Sequence, residues 1–305
     1  MEKEKDIKKY KNIKEIIYNS ANIYKNNIAF TSKVQTKDNI TYINHTYKDL
    51  LEDINAMGTA LYDLGLKNKK VAIIGKNCYQ WAVAHLSNLL GGIISVPLDK
   101  GLQVGELESS LIRSEAEAIF FDPKLKNEIE EIKKNNKVNI KYYICFEKNE
   151  EYLQFDKLIA EGKKKIKNGY REYIKHKVDP YKMSILLFTS GTTAKSKAVM
   201  LNQYGIATNV YDMLLVESFY QTDVNIAFLP FHHIFGSTGM LVMLASGMKT
   251  VFPDGLRYIK QNLIEYKVSV FVGVPILIDK MYNTIMKEIE KQKKTKTLNN
   301  VIRIS

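Results

Sequence analysis

Thr189, Ser190, Gly191, Thr192 and Thr193 place four hydroxyls around one glycine, and Lys195 and Lys197 follow within four residues. An apolar run, Leu186-Leu187-Phe188, leads into them. Short side chains let a backbone wrap closely around an anion; its N–H groups and hydroxyls can then donate to phosphate oxygens while a lysine adds charge. A Walker A loop, G-x-x-x-x-G-K-[ST], does not fit: counted from Gly191, Ser196 stands where the second glycine belongs and Ala198 where the Ser/Thr belongs. On residue types alone, a phosphate loop and a Ser/Thr-rich surface turn with incidental lysines both remain open. A second chemical candidate is His232-His233, after Leu229-Pro230-Phe231. Neighbouring side chains on extended backbone point to opposite sides, which disfavours a shared metal. Without further context, a histidine between Phe231 and Phe235 reads as a structural residue. Cys78 and Cys145 are too far apart in sequence for a zinc or CxxC redox motif and fit a reducing compartment.

Elements that could hold these residues follow from hydrophobic periodicity. Helices are expected at Asn12 to Tyr24, with Ile13, Ile16, Ile17 and Ile23 inward, and at Tyr47 to Leu64, ending on Gly65. Short apolar runs at Val71 to Ile74, Ile93 to Val96 (stopped by Pro97) and Ala118 to Phe121 read as strands covered on both faces. Helices around Trp81 to Leu90 and Glu106 to Arg113 separate them. Further strands are expected at Ile40 to Asn44 and Ile140 to Cys145. After a charged stretch with one short helix near Tyr152 to Ile159, the rhythm resumes. Strands follow at Ser184 to Thr189, Val224 to Leu229, Lys249 to Val251, Val268 to Val272 and Val301 to Ile304. Between them lie helices at Asn202 to Leu215, Gly236 to Leu244, Leu256 to Tyr266 and Ile276 to Lys293. The alternation predicts an α/β fold with mostly parallel strands and helices on the faces, in two subdomains, 1–178 and 179–305.

The net charge of +12 over 305 residues sits largely in runs such as Lys163-Lys164-Lys165, read as solvated faces; no nucleic-acid partner is expected from it. The N-terminus lacks a signal peptide's apolar core, and the apolar Trp81 to Leu98 is broken by polar residues and Gly91-Gly92. The expected location is cytoplasmic, and any membrane contact would be peripheral.

Thr189-Ser190-Gly191-Thr192-Thr193-x-x-x-Lys197 resembles the T-S-G-T-T-G-x-P-K-G signature of the adenylate-forming (AMP-binding) superfamily, with Ala194, Ser196 and Ala198 departing from it. Asn77 to Ala84, with Gly91-Gly92 to Asp99, resembles an early core motif of the same family. There the role is structural, with Gly91-Gly92 allowing a sharp helix-to-strand turn. Leu229-Pro230-Phe231-His232-His233-Ile234-Phe235-Gly236 resembles its L-P-x-x-H-x-x-G segment, which makes His233 the matching histidine. Val272-Gly273-Val274-Pro275 and the helix after it resemble a turn near the acyl pocket.

The resemblance, strongest to long-chain fatty acid–CoA ligases, implies the front part of an enzyme that activates a carboxylic acid with ATP and passes the acyl group to coenzyme A. Thr189 to Thr193 would then hold phosphates, Thr189 would stand beside Mg2+, Lys197 would offset pyrophosphate charge and His233 would shape the acyl entrance. Carrier-protein loading and a non-catalytic nucleotide-binding module are the alternatives. Family elements for magnesium, ribose and the acyl-phosphate centre are expected after Ser305. The 305 residues alone are therefore expected to be inactive, with a strand edge at Val301 to Ile304 that favours self-association.

Overall fold

Asn12 begins the first helix because its carboxamide oxygen accepts the Glu15 N–H, satisfying one of the free donors of the first turn. In this computed structural model, which describes residues 7–36, 39–189 and 196–291, that helix is α1 (Ile13–Ile23). Its Ile13, Ile16 and Ile17 are buried as the spacing predicts, but Ile23 stands at the helix end and is 59% exposed. A hairpin follows, β1 (Ile28–Gln35) and β2 (Ile40–Thr46). Thr46 then caps α2 (Tyr47–Asp63) in a capping box with Asp49.

Next come β3 (Lys70–Ile74), α3 (Tyr79–Leu90), β4 (Ile94–Leu98), α4 (Val104–Ser114), β5 (Ala118–Phe121), α5 (Lys126–Asn135) and β6 (Tyr142–Cys145). The strand β4 runs through Pro97 instead of stopping there. Its registered pair with the neighbour that completes its other side is Ser95 with Ile185, so Pro97 lies beyond that contact and its missing N–H breaks no bond there. Gly92 supplies the turn into β4 with φ +68, where a Cβ would meet the His176 ring at 2.5 Å.

The chain continues through β7 (Leu153–Gln154), α6 (Phe155–Lys167), α7 (Glu172–Lys175), β8 (Met183–Thr189), β9 (Lys197–Asn202) and α8 (Gln203–Val216). It then forms β10 (Val224–Ile226), α9 (Ile234–Ala245), β11 (Lys249–Val251), a 3-10 turn at Leu256–Tyr258 and α10 (Ile259–Glu265). The lysine run at Lys163 to Lys165 lies in α6, which extends well past the expected Ile159. Nor is the charged stretch a loose connector. Tyr173 is fully buried and its hydroxyl donates to the Ser87 carbonyl at 2.8 Å. Val268 to Val272 forms no strand; its ladder is a single bridge from Asn225 to Val270. Val301 to Ile304 lies outside the described residues.

Seven strands form one sheet in the order β7-β6-β5-β3-β4-β8-β9, parallel except for the β8–β9 pair. Four form another, β10-β11-β1-β2, parallel except for β1–β2. The fold is thus α/β with two mostly parallel sheets, as expected. Each sheet takes strands from both sides of residue 178: β8 and β9 extend the larger one, while β1 and β2 complete the smaller. Residues 271 onward make a separate compact unit, whose described part contains α11 (Pro275–Lys291), with Pro275 at its first position.

A charge cluster ties β1 to the segment after β11 and to the end of α10. Lys33 lies 2.7 Å from Asp254 and 2.9 Å from Glu265, with its side chain 7% exposed. Asn262 donates to both carboxylates. Burial alone would raise these two carboxyls; the hydrogen bonds from Lys33, Asn262 and Tyr42 bring them below their usual range. Lys33→Met should leave the half-buried Glu265 and the more exposed Asp254 without their cation, a change expected to cost about 1–3 kcal/mol. The checking measurement is the urea midpoint at neutral pH, and an unchanged midpoint would show that the cluster contributes nothing.

Candidate active site

The carboxyl ends of β3, β4 and β8 lie on one edge of the seven-stranded sheet, because these strands are parallel. Ligands of open α/β sheets gather along such an edge. Thr189 closes β8 here and sits directly opposite Lys197, the first residue of β9. The expectation that the hydroxyl-rich segment leaves the carboxyl end of a strand therefore meets a strand end at Thr189. Ser190, Gly191, Thr192 and Thr193 lie outside the described residues. Ser196 is held from α4: Arg113 Nη1 donates to its hydroxyl at 2.9 Å, and the guanidinium lies over the Phe188 ring, 5.0 Å from its centroid. The serine that departs from the family signature thus has a local partner. Sequence spacing gave no hint of Arg113, which stands 83 residues away.

His233 arrives at the same edge on a segment gripped from two strand ends. After β3, Asn77 Nδ2 donates to the carbonyls of Ala227 (2.9 Å) and Leu229 (2.8 Å), and its Oδ1 accepts the Phe231 N–H at 2.9 Å. Phe231 is buried against Trp81 and Phe252, with ring centroids at 5.4 and 6.4 Å. After β4, Asp99 approaches His232, Oδ2 to Nε2 at 3.6 Å. Burial, with His233 and Lys100 adding to it, pushes the His232 pKa down to about 4 against the pull of Asp99. At neutral pH the imidazole is uncharged, so this contact is not an ion pair.

The backbone then turns, with the His233 N–H donating to the Pro230 carbonyl at 3.1 Å, and α9 begins with His233 as its N-cap residue. His233 itself is exposed. Gly236, in the first turn of α9, has no room for a side chain: a Cβ there would lie 2.1 Å from the Pro230 oxygen. The two histidine rings lie 4.2 Å apart, centroid to centroid.

One open groove of about 440 Å³ lies between the elements that carry the two candidates, with neither Lys197 nor His233 among its lining residues. Met200 and Leu201 of β9, Ile206 of α8, and Ile234, Phe235 and Thr238 of α9 line it. Met200 is 70% and Phe235 50% exposed, so the wall is apolar and uncovered. The strand that starts at Lys197 and the helix that His233 caps therefore share one surface. Among the described residues, no group of three or more His, Cys, Asp or Glu could hold a metal ion. Of the four hydroxyl residues in the segment from Thr189 to Thr193, Thr189 is the one among the described residues. Both cysteines are free, and burial raises the Cys78 thiol to about 12, which disfavours its thiolate form.

The family described as AMP-binding enzyme matches residues 18–304. The chain belongs to that family. Long chain acyl-CoA synthetase 4 of Arabidopsis thaliana is 26% identical over 264 residues, 81% of this chain and 39% of that protein. A chloroplastic long-chain-fatty-acid–[acyl-carrier-protein] ligase of the same plant is 25% identical over 261 residues, covering 80% of this chain and 36% of the relative. The chain thus spans about two fifths of the length of the curated relatives it matches. The structure of a long-chain-fatty-acid-CoA ligase from Archaeoglobus fulgidus superposes with a TM-score of 0.79 at 17% identity, over 92% of this chain and 55% of that one. The AMP-binding chain therefore has the fold of adenylate-forming enzymes. No helix among its described residues is long and apolar enough to cross a membrane.

Proposed function

We propose that this AMP-binding chain carries the phosphate loop and acyl entrance of a ligase that activates a fatty acid with ATP, forming acyl-AMP and then acyl-CoA. The observation that carries the reading is the uncovered apolar groove shared by the strand beginning at Lys197 and the helix capped by His233. An acyl chain would lie against Met200, Ile234 and Phe235. Its carboxylate would face the sheet edge where Thr189 and Lys197 stand.

The carboxylate attacks the α-phosphorus of ATP and pyrophosphate leaves. Negative charge builds on the phosphates, so positioned donors and cations do most of the work. Thr189, Ser190, Thr192 and Thr193 would supply hydroxyl donors and Gly191 a close backbone approach, while Lys197 would neutralise the departing pyrophosphate. Thr189 would stand beside a Mg2+ held chiefly by the ATP phosphates and water, which would offset phosphate charge, and no step here is routed through the ion. Coenzyme A takes the acyl group in the second step. The similarity to a ligase whose name gives an acyl-carrier protein as acceptor supports a second reading, in which that protein replaces coenzyme A.

Lys197→Ala should weaken ATP binding at least about tenfold without unfolding the chain, because a charge-assisted contact to phosphate is worth about 1.5–3 kcal/mol. Calorimetric titration with ATP and with palmitate tests both halves of the site. Equal ATP affinity in the variant would remove the lysine from it, and no palmitate binding to the unmodified chain would remove the acyl assignment. We also expect no turnover from the 305 residues alone when ATP, magnesium, fatty acid and coenzyme A are supplied.

A further inference from the structure

We propose that Asn77 is a positioning residue for His233, holding the Leu229–Phe231 backbone so that the turn after it presents the imidazole at the acyl entrance. The importance of that entrance rests on the function proposed above; the positioning itself rests on hydrogen bonds.

Asn77 belongs to a segment that reads as structural, the connection from β3 into α3. Its amide nevertheless reaches a strand-to-helix connection 150 to 154 residues further along and spends its bonding there: two donors on the Ala227 and Leu229 carbonyls, one acceptor on the Phe231 N–H. The orientation is forced, since a flipped amide would set its oxygen against two carbonyl oxygens and its NH2 against an N–H. No other side chain of this length offers that pattern. Aspartate has no donor, and glutamine is one methylene too long for the same three contacts.

The gripped residues flank Pro230, whose carbonyl accepts the His233 N–H and abuts Gly236. Movement at Leu229 or Phe231 is therefore transmitted through Pro230 to the first turn of α9. Nothing else described at this edge holds those three backbone groups from the β3 side. Asp99 approaches from β4, but at 3.6 Å from an uncharged ring it is a weak second hold.

The test uses the 305-residue chain, which has five histidines, and follows their ring protons by NMR as pH is varied. The reporter is His232, faced by Asp99, His233 and Lys100 and titrating near pH 4 while buried. Asn77→Ala should free the segment, expose His232 and raise its titration by about one unit or more. His85 in the core should stay unchanged, and palmitate affinity should fall about tenfold. Tyr62→Phe, which removes a buried bond to the Gly91 carbonyl away from this segment, should leave His232 where it is.

A folded Asn77→Ala chain with unshifted His232 and His233 signals overturns the proposal. If that variant does not fold, the Phe231 amide of the unmodified chain decides. Slow hydrogen exchange supports the clamp, and exchange as fast as an exposed amide overturns it. If palmitate does not bind the unmodified chain but His232 still shifts in the variant, the function proposed above falls while the positioning role stands.

Discussion

Gly236→Ala is expected to destabilise the chain and to detach the acyl entrance, although alanine is the better helix former. In the first turn of α9 alanine would contribute up to about 1 kcal/mol of helix propensity. Against that, the new methyl would lie 2.1 Å from the Pro230 oxygen, 2.8 Å from its carbon and 3.0 Å from the Leu229 oxygen, all of them backbone atoms. Relief requires the whole Leu229–Pro230 segment to retreat by more than an ångström. Asn77 bonds and the burial of Phe231 oppose that movement. Overpacking of this kind costs about 1–3 kcal/mol, sometimes more, and here it meets unyielding atoms. The melting temperature should fall by several degrees and palmitate affinity by about tenfold, with far-UV circular dichroism retained. A variant as stable as the parent would mean that the segment is looser than its hydrogen bonds indicate.

Acid should unfold the chain sooner than its carboxylates alone would require. His85 is fully buried beside Trp81, its Nδ1 2.8 Å from the Ser95 hydroxyl, and burial depresses its pKa to about 3. His232 is lowered to about 4, and His45 and His176 also fall below the usual range, in each case chiefly through burial. A histidine whose folded pKa lies below its unfolded value near 6.5 takes up protons on unfolding. The stability it contributes is present above pH 6.5 and is lost as pH drops toward the folded pKa. From His85 alone the loss is roughly 2 kcal/mol by pH 5, at about 1.4 kcal/mol per pH unit. The other three act in the same direction. Asp254 and Glu265, whose pKa values are lowered, withdraw their support only below about pH 4. Urea midpoints should hold from pH 8 to about pH 7 and then fall toward pH 5, and His85→Asn should flatten that fall. A midpoint that does not move over this range would contradict the burial of these rings.

Where local pattern and burial coincide, the elements were legible. Ala118 to Phe121 is a four-residue apolar run and is β5; the strand at Val71 to Ile74 and the helices at Tyr47 and Trp81 fall within a few residues of expectation. The misses share a cause. In α5, Ile129 and Ile132 are its buried residues, too little signal amid charge. The strand β9 is an edge strand, exposed along most of its length, and is held by its antiparallel partner β8 instead of by an apolar face. Val268 to Val272 has the composition of a strand, but its one recorded bridge, to Asn225, does not make a ladder.

For the site, residue types drew attention to Thr189 to Thr193 and the lysines after them, because phosphate chemistry demands hydroxyls, a glycine and a cation close together in sequence, but they left a surface turn equally open; the family resemblance is what singled out Lys197 and His233. What holds these residues depends on tertiary structure. Arg113 meets Ser196 and Asn77 meets Leu229 across long stretches of chain, and no local spacing encodes such pairs. The same holds for the groove. Met200, Ile206 and Phe235 lie on a strand and two helices, and only the packing of those elements puts their apolar side chains on one uncovered surface.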